Sequence, residues 1–188
     1  MNRFVRCFTL ISGLLISGTV WSLPGDRELP INVDADRNQG SLSTNQMTYI
    51  GNVHITQGAL TIVGDQVVIY RSDNNDVERM VATGEETPAR VTDQLEEDEP
   101  ETQLDGLTVI YNAEDGIISA QGQAKLTQGR NLVTAHYIRY DINTEDFESD
   151  VEAPDGSRGE RVRMCLVPEG EDSNGEATDR ATSCQTVR

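Results

Sequence analysis

The 188-residue chain carries 32 Asp and Glu against 15 Lys and Arg, a formal charge of −17. That balance excludes docking on nucleic acid or on an anionic membrane surface, since both need clustered cations. Aromatic residues make up 5%, and the single Trp lies at position 21. The remainder of the chain therefore lacks the indole platforms that carbohydrate-binding β-modules use.

In chain order, Arg3 and Arg6 precede an apolar or small run at residues 7–20. Val20 and Ser22 then stand at −3 and −1 of a cleavage site before Leu23. This pattern predicts a secretory leader at residues 1–22. An uncleaved anchor is the alternative, but an apolar run of about fourteen falls short of the roughly 20 residues a spanning helix needs. One β domain is expected over residues 23–168, followed by a disordered acidic and polar tail at 169–188. Export would leave Cys165 and Cys184 in an oxidising compartment. There they predict a disulfide stapling the tail to the last strand, worth about 3 kcal/mol in the chain-entropy model. Free thiols are the alternative.

The stretch GNVHITQG at 51–58 returns as GQAKLTQG at 122–129, 71 positions on. Val53 and Ile55 alternate with His54 and Thr56, as Ala124 and Leu126 alternate with Lys125 and Thr127. A period of two between glycines reads as a half-buried strand ending in a turn. Short apolar-x-apolar anchors recur at Ile31–Val33, Val67–Ile69, Val109–Tyr111 and Ile138–Tyr140. Each precedes a glycine expected to open the next strand: Gly51, Gly84, Gly122 and, more loosely, Gly159. The parity of the apolar positions changes at Gly64-Asp65 and at Ala135-His136, which predicts a bulge or corner at each. The segments 71–78, 112–116, 141–146 and 152–159 are rich in Asn, Asp and Gly and read as turns. No stretch has a sustained helical period.

Motifs for chemistry are sparse. The acidic run at 96–101 lacks the spacing of a calcium loop and reads as a solvated turn. His54 and His136 are the only neutral-pH acid or base groups, and neither sits at a metal-ligand spacing. No nucleophile elbow or phosphate loop is present. No enzyme activity, cofactor or metal site is expected. Arg158, Arg161 and Arg163 form the one cationic cluster, to be met by nearby carboxylates or by an acidic partner. From periodicity alone, the apolar faces suit an ordinary closed β-sandwich. Against that, the inner positions offer few large side chains to fill a wide gap.

The stretches ELPINVDAD (28–36), YIGNVHITQGALTIVGDQVVIY (49–70), GQAKLTQGRNLVTAHYIRYD (122–141) and GERVRMCLVPEG (159–170) together resemble the OstA-like family of lipopolysaccharide export proteins. The likeness runs from about residue 28 to 168. It implies an all-β fold, an open antiparallel β-jelly-roll built from repeated strand units with its ends unpaired. It also implies a periplasmic, non-enzymatic lipopolysaccharide carrier that docks head to tail with itself. The apolar groove would be lined by Ile31, Val33, Val53, Ile55, Val67, Ile69, Val91, Val109, Tyr111, Leu126, Ile138 and Tyr140. The N-terminal edge at Ile31, Asn32 and Val33 would meet an inner-membrane LptC-like component. The C-terminal edge at Arg161, Val162, Arg163, Met164 and Leu166 would meet an outer-membrane LptD-like one. The rival reading is a secreted β-sandwich that binds or hydrolyses polysaccharide. Two features depart from the family: the acidity of the 96–101 loop and a tail without its Lys-rich character.

Overall fold

The computed structural model describes residues 29–41, 43–94, 100–167 and Cys184. The expected leader and most of the tail lie outside these residues, as does most of the acidic run. Twelve antiparallel strands form among the described residues: β1 (Asn32–Asp34), β2 (Arg37–Ser41), β3 (Gln46–Gln57), β4 (Leu60–Arg71), β5 (Val77–Thr83), β6 (Ala89–Asp93), β7 (Thr102–Gly106), β8 (Thr108–Asn112), β9 (Ile117–Gln128), β10 (Asn131–Asp141), β11 (Phe147–Asp150) and β12 (Arg163–Cys165).

The duplicated stretch forms two matching hairpins, β3–β4 and β9–β10. In each, a two-residue loop joins the strands, with Gln57 opposite Leu60 and Gln128 opposite Asn131. Gly58 (φ 60°) and Gly129 (φ 56°) take the first loop position. A positive φ there is the type II′ geometry, whose twist matches that of the flanking strands. Halfway along each hairpin the register slips. Gly51 and Asn52 face Asp65 alone, and Gly122 and Gln123 face His136 alone. All four bulged residues have positive φ, from 45° to 82°. The corners thus lie where the parity change puts them, but the extra residues belong to the facing strand. Gly51 and Gly122 accordingly sit in the middle of twelve-residue strands instead of opening them. Their left-handed dihedrals admit a bulge without ending the strand.

These corners align into a spine that folds one sheet in two. On one side run β2, the first part of β3, the second part of β4, then β5, β8, the first part of β9, the second part of β10, and β11. On the other run β1, the rest of β3 and β4, then β6, β7, the rest of β9 and β10, and β12. Through the shared strands the ladder also closes on itself as a six-member ring, β4-β5-β8-β9-β7-β6. Polar groups along the spine supply the bonds that the ladder loses at the bend. Leu107 N–H donates to Gly122 O (2.9 Å), Gly84 N–H to Leu107 O (3.0 Å) and Glu85 N–H to the Asp65 carboxylate (2.7 Å). Asn52 likewise donates to Asp36 (2.9 Å). Buried main-chain groups left unpaired at each corner would be costly, which is why acids and amides cluster there.

Candidate functional site

The two halves face each other across a single apolar cluster. Following the register across the β1–β12 half gives one unbroken inward row: Val33, Ile55, Ile62, Val91, Leu104, Leu126, Val133, Met164. The opposing half contributes Met47, Ile69, Met80, Tyr111, Ile118, Tyr140 and Phe147. A second row of that half, nearer the spine, runs Tyr49, Val67, Ala82, Val109, Ala120, Ile138. Side-chain size follows distance from the spine. Beside it the β1–β12 half carries Val53, Gly64, Ala89, Gly106, Ala124 and Ala135. There a Cβ on Gly106 would stand only 3.0 Å from the Ala120 Cβ. The interior is therefore a wedge, closed where the sheet folds and widening toward the lips formed by the turns.

Every residue expected to line a groove points into this wedge. Val53, Ile55, Val67, Val91, Val109, Tyr111 and Ile138 are fully buried, Ile69, Leu126 and Tyr140 nearly so. Ile31 and Val33 pack partly buried against the cluster's end. Among the described residues, open space remains between the lips toward β1 and toward β12. Toward β1, Ile31, Gln57, Val77 and Tyr111 border a cavity of about 610 Å³, rimmed by Asp76, Glu78 and Glu114. Toward β12 a smaller one of about 100 Å³ is bordered by Leu126, Val133, Tyr140, Phe147, Met164 and Leu166. Ile62, Met80, Leu104, Ile118 and Val133 belong to the same rows and were not picked out from sequence. Met80 and Leu104 sit in short strands where too few apolar positions alternate to set a parity.

At each end of the β1–β12 half the terminal strand has one neighbour among the described residues, β3 for β1 and β10 for β12. The residues expected at the C-terminal edge are exposed, Val162, Met164 and Leu166 between 43% and 64%. Arg161 and Arg163 point to solvent, whereas Arg158 is taken by Glu152 at 2.7 Å. Cys165 and Cys184 are joined in a disulfide.

One polar constellation has the makings of hydrolytic chemistry. His136 Nε2 lies 2.9 Å from Ser157 Oγ. However, the carboxylate of Asp155 is bound by Ser157 and Gln121, not by the imidazole. The imidazole's other nitrogen lies against Gly159. An acid that grips the hydroxyl and leaves the base unoriented reverses the order a serine nucleophile requires. The Ser157 side chain and N–H, with Gln121, hold the Asp155 pKa down at about 2. The knot fastens the 151–159 loop across the spine. No group of metal-ligating side chains occurs among the described residues.

A folded β-jelly-roll with a lengthwise apolar wedge, whose two terminal strands each have one neighbour among the described residues, defines the class: an all-β protein with an apolar interior running its length. Residues 32–146 match the family described as LptA/(LptD N-terminal domain) LPS transport protein. The lipopolysaccharide export protein LptH of Pseudomonas aeruginosa is 33% identical over 146 residues, 76% of this chain and 82% of the relative. LptA of Haemophilus influenzae is 26% identical over 169 residues, 89% and 92% of the two chains. The crystal structure of LptH, the LptA-homologous periplasmic component of the lipopolysaccharide transport device of P. aeruginosa, superposes with a TM-score of 0.70. It shares 28% identity there and covers 77% of this chain and all of that one. The chain therefore belongs to the LptA/LptH family of LPS transport proteins, which are not enzymes.

Proposed function

We propose that the chain is a periplasmic carrier that shields the acyl chains of lipopolysaccharide in its wedge and bridges inner- and outer-membrane transport complexes. The observation that carries this reading is the pair of opposed apolar rows running through every described strand but β2. Eight strands about 4.8 Å apart make a row roughly 33 Å long, comparable to the about 30 Å hydrocarbon core of a bilayer. Exposing one fourteen-carbon chain to water costs on the order of 11 kcal/mol at about 0.8 kcal/mol per methylene. Crossing an aqueous compartment thus requires such a lining. Acyl chains enter between the lips at the two cavities and part the halves, which stay joined along the spine. Charged sugars remain outside, so an acidic protein suffices.

The free edges of β1 and β12 serve as docking surfaces by strand addition. An LptC-like partner takes Ile31, Asn32 and Val33, and an LptD-like partner takes the strand from Arg161 to Leu166. Copies of the chain join head to tail between them. The leader at residues 1–22 directs export to the periplasm.

The test is displacement of a fluorescent acyl probe by lipopolysaccharide. Ile31→Asp, at the half-buried mouth, is expected to weaken binding at least tenfold without unfolding the protein. A photoreactive residue at position 111 should crosslink to glycolipid in cells. Probe binding that lipopolysaccharide does not displace, or crosslinks to protein alone, would refute the carrier.

A further inference from the structure

We infer that the Cys165–Cys184 disulfide is a redox clamp that makes the C-terminal edge competent to dock. The inference rests on the proposed strand-addition reading and concerns the regulation of that end. β12 has little of its own to hold it. Three residue pairs join it to β10, Leu132 with Cys165, Val133 with Met164 and Thr134 with Arg163. Beyond them, the amide of Val167 donates to Asn131 Oδ1 at 3.2 Å. Of its apolar side chains Met164 is half exposed, and the flanking Val162 and Leu166 are 43% and 64% exposed. A short edge strand that buries so little surface belongs to the low-stability part of a fold.

The bond sits where it compensates for this. Met164 pairs with buried Val133, so it faces the wedge, and Cys165, one residue on, faces the opposite side of the sheet. Its row across that outer face is Gln103, Thr127, Leu132, Cys165. Cys184, although distant in sequence, is only 4% exposed. Thr127 Oγ1 in the same row is also cut off from solvent and has no hydrogen-bond partner. Burial of both shows that the outer face is covered at this row. Each half of the bond then holds the other against the sheet.

With the bond formed, β12 is kept in register and offers its free side to an incoming strand. With it reduced, β12 leaves and the end of the molecule becomes the bare edge of β10, in a different register and without Met164 and Leu166. The bond forms by thiol–disulfide exchange. The two thiols lose two electrons and two protons to a disulfide donor, which leaves as two thiols.

Hydrogen exchange on the full chain should be compared after treatment with oxidised glutathione and with dithiothreitol, and on C165S and C184S. Amides in 132–134 and 163–165 are expected to exchange at least tenfold faster when the bond is absent, while β1 and its partners in β3 do not change. End-to-end association, followed by sedimentation, is expected to fall in parallel and to return on reoxidation of the wild type. Equal exchange in both redox states overturns the clamp. Faster exchange with undiminished association overturns its role in docking. If no association occurs in either state, the docking reading itself is refuted and the regulation with it, while exchange still decides whether the bond holds β12.

Discussion

Leu104→Ala tests the apolar rows most directly, because Leu104 is the one large aliphatic residue of β7 and stands between Val91 and Leu126 in the middle of its half. It is 1% exposed, so truncation removes three buried carbons. Their transfer to water is worth about 2.4 kcal/mol at about 0.8 kcal/mol each. Strands bonded on both sides, β6 and β9, restrain collapse of the void, which brings the total to about 3–5 kcal/mol. For a domain of this size that lowers Tm by roughly 6–20 °C. Guanidinium unfolding followed by circular dichroism should show a lower midpoint with an unchanged slope. Below the new transition the variant should take up at least as much acyl probe as the wild type, since the void lies in the wedge between the two cavities. A stability loss under about 1 kcal/mol would mean that the middle of the wedge is not packed as described. Loss of uptake by folded protein would show that Leu104 does not separate the two openings.

Gly106→Val inserts bulk where the halves meet, 3.0 Å from Ala120 Cβ and close to the main chain of Thr108 and Gln121. Overpacking of at least about 1–3 kcal/mol is expected from thermal unfolding, and a neutral substitution would contradict the wedge. The Asp155 carboxylate has its pKa lowered from 3.8 to about 2 by its bonds to Ser157 and Gln121. A depressed folded-state pKa contributes stability above the unfolded value, lost as pH falls through the folded one. The knot holding the 151–159 loop should therefore persist at pH 4 and loosen toward pH 2, read as an NMR carboxyl titration with its midpoint near 2. A midpoint near 4 would show that the knot does not form in solution. Leu166→Asp changes a side chain that is 64% exposed. Unfolding should move by no more than about 0.5 kcal/mol while end-to-end association falls. Unaltered association would place the contact elsewhere.

What the linear chain disclosed was whatever rests on neighbours in sequence. Alternation in 53–57 and 124–128 set which side chains turn inward, because a strand's period of two needs no partner to be read. The Gln-Gly pairs at 57–58 and 128–129 marked the hairpin turns, because a positive φ is a local demand that Gly meets. Twelve inward positions followed from those two rules and from the likeness to a family. The rows themselves did not, since adjacency between Val91, Leu104 and Leu126 depends on register between strands far apart in sequence. Which strand of each hairpin would bulge was equally hidden. Parity changes on both sides of a corner, and only pairing showed that Gly51-Asn52 and Gly122-Gln123 carry the extra residue. That Asp36 would meet Asn52, and Asp65 the main-chain N–H of Glu85, along one spine was legible only in the fold. The wedge exists because the bends of strands far apart in sequence fall on that line, and a coincidence among distant residues is decided by tertiary packing, not by any single stretch of chain.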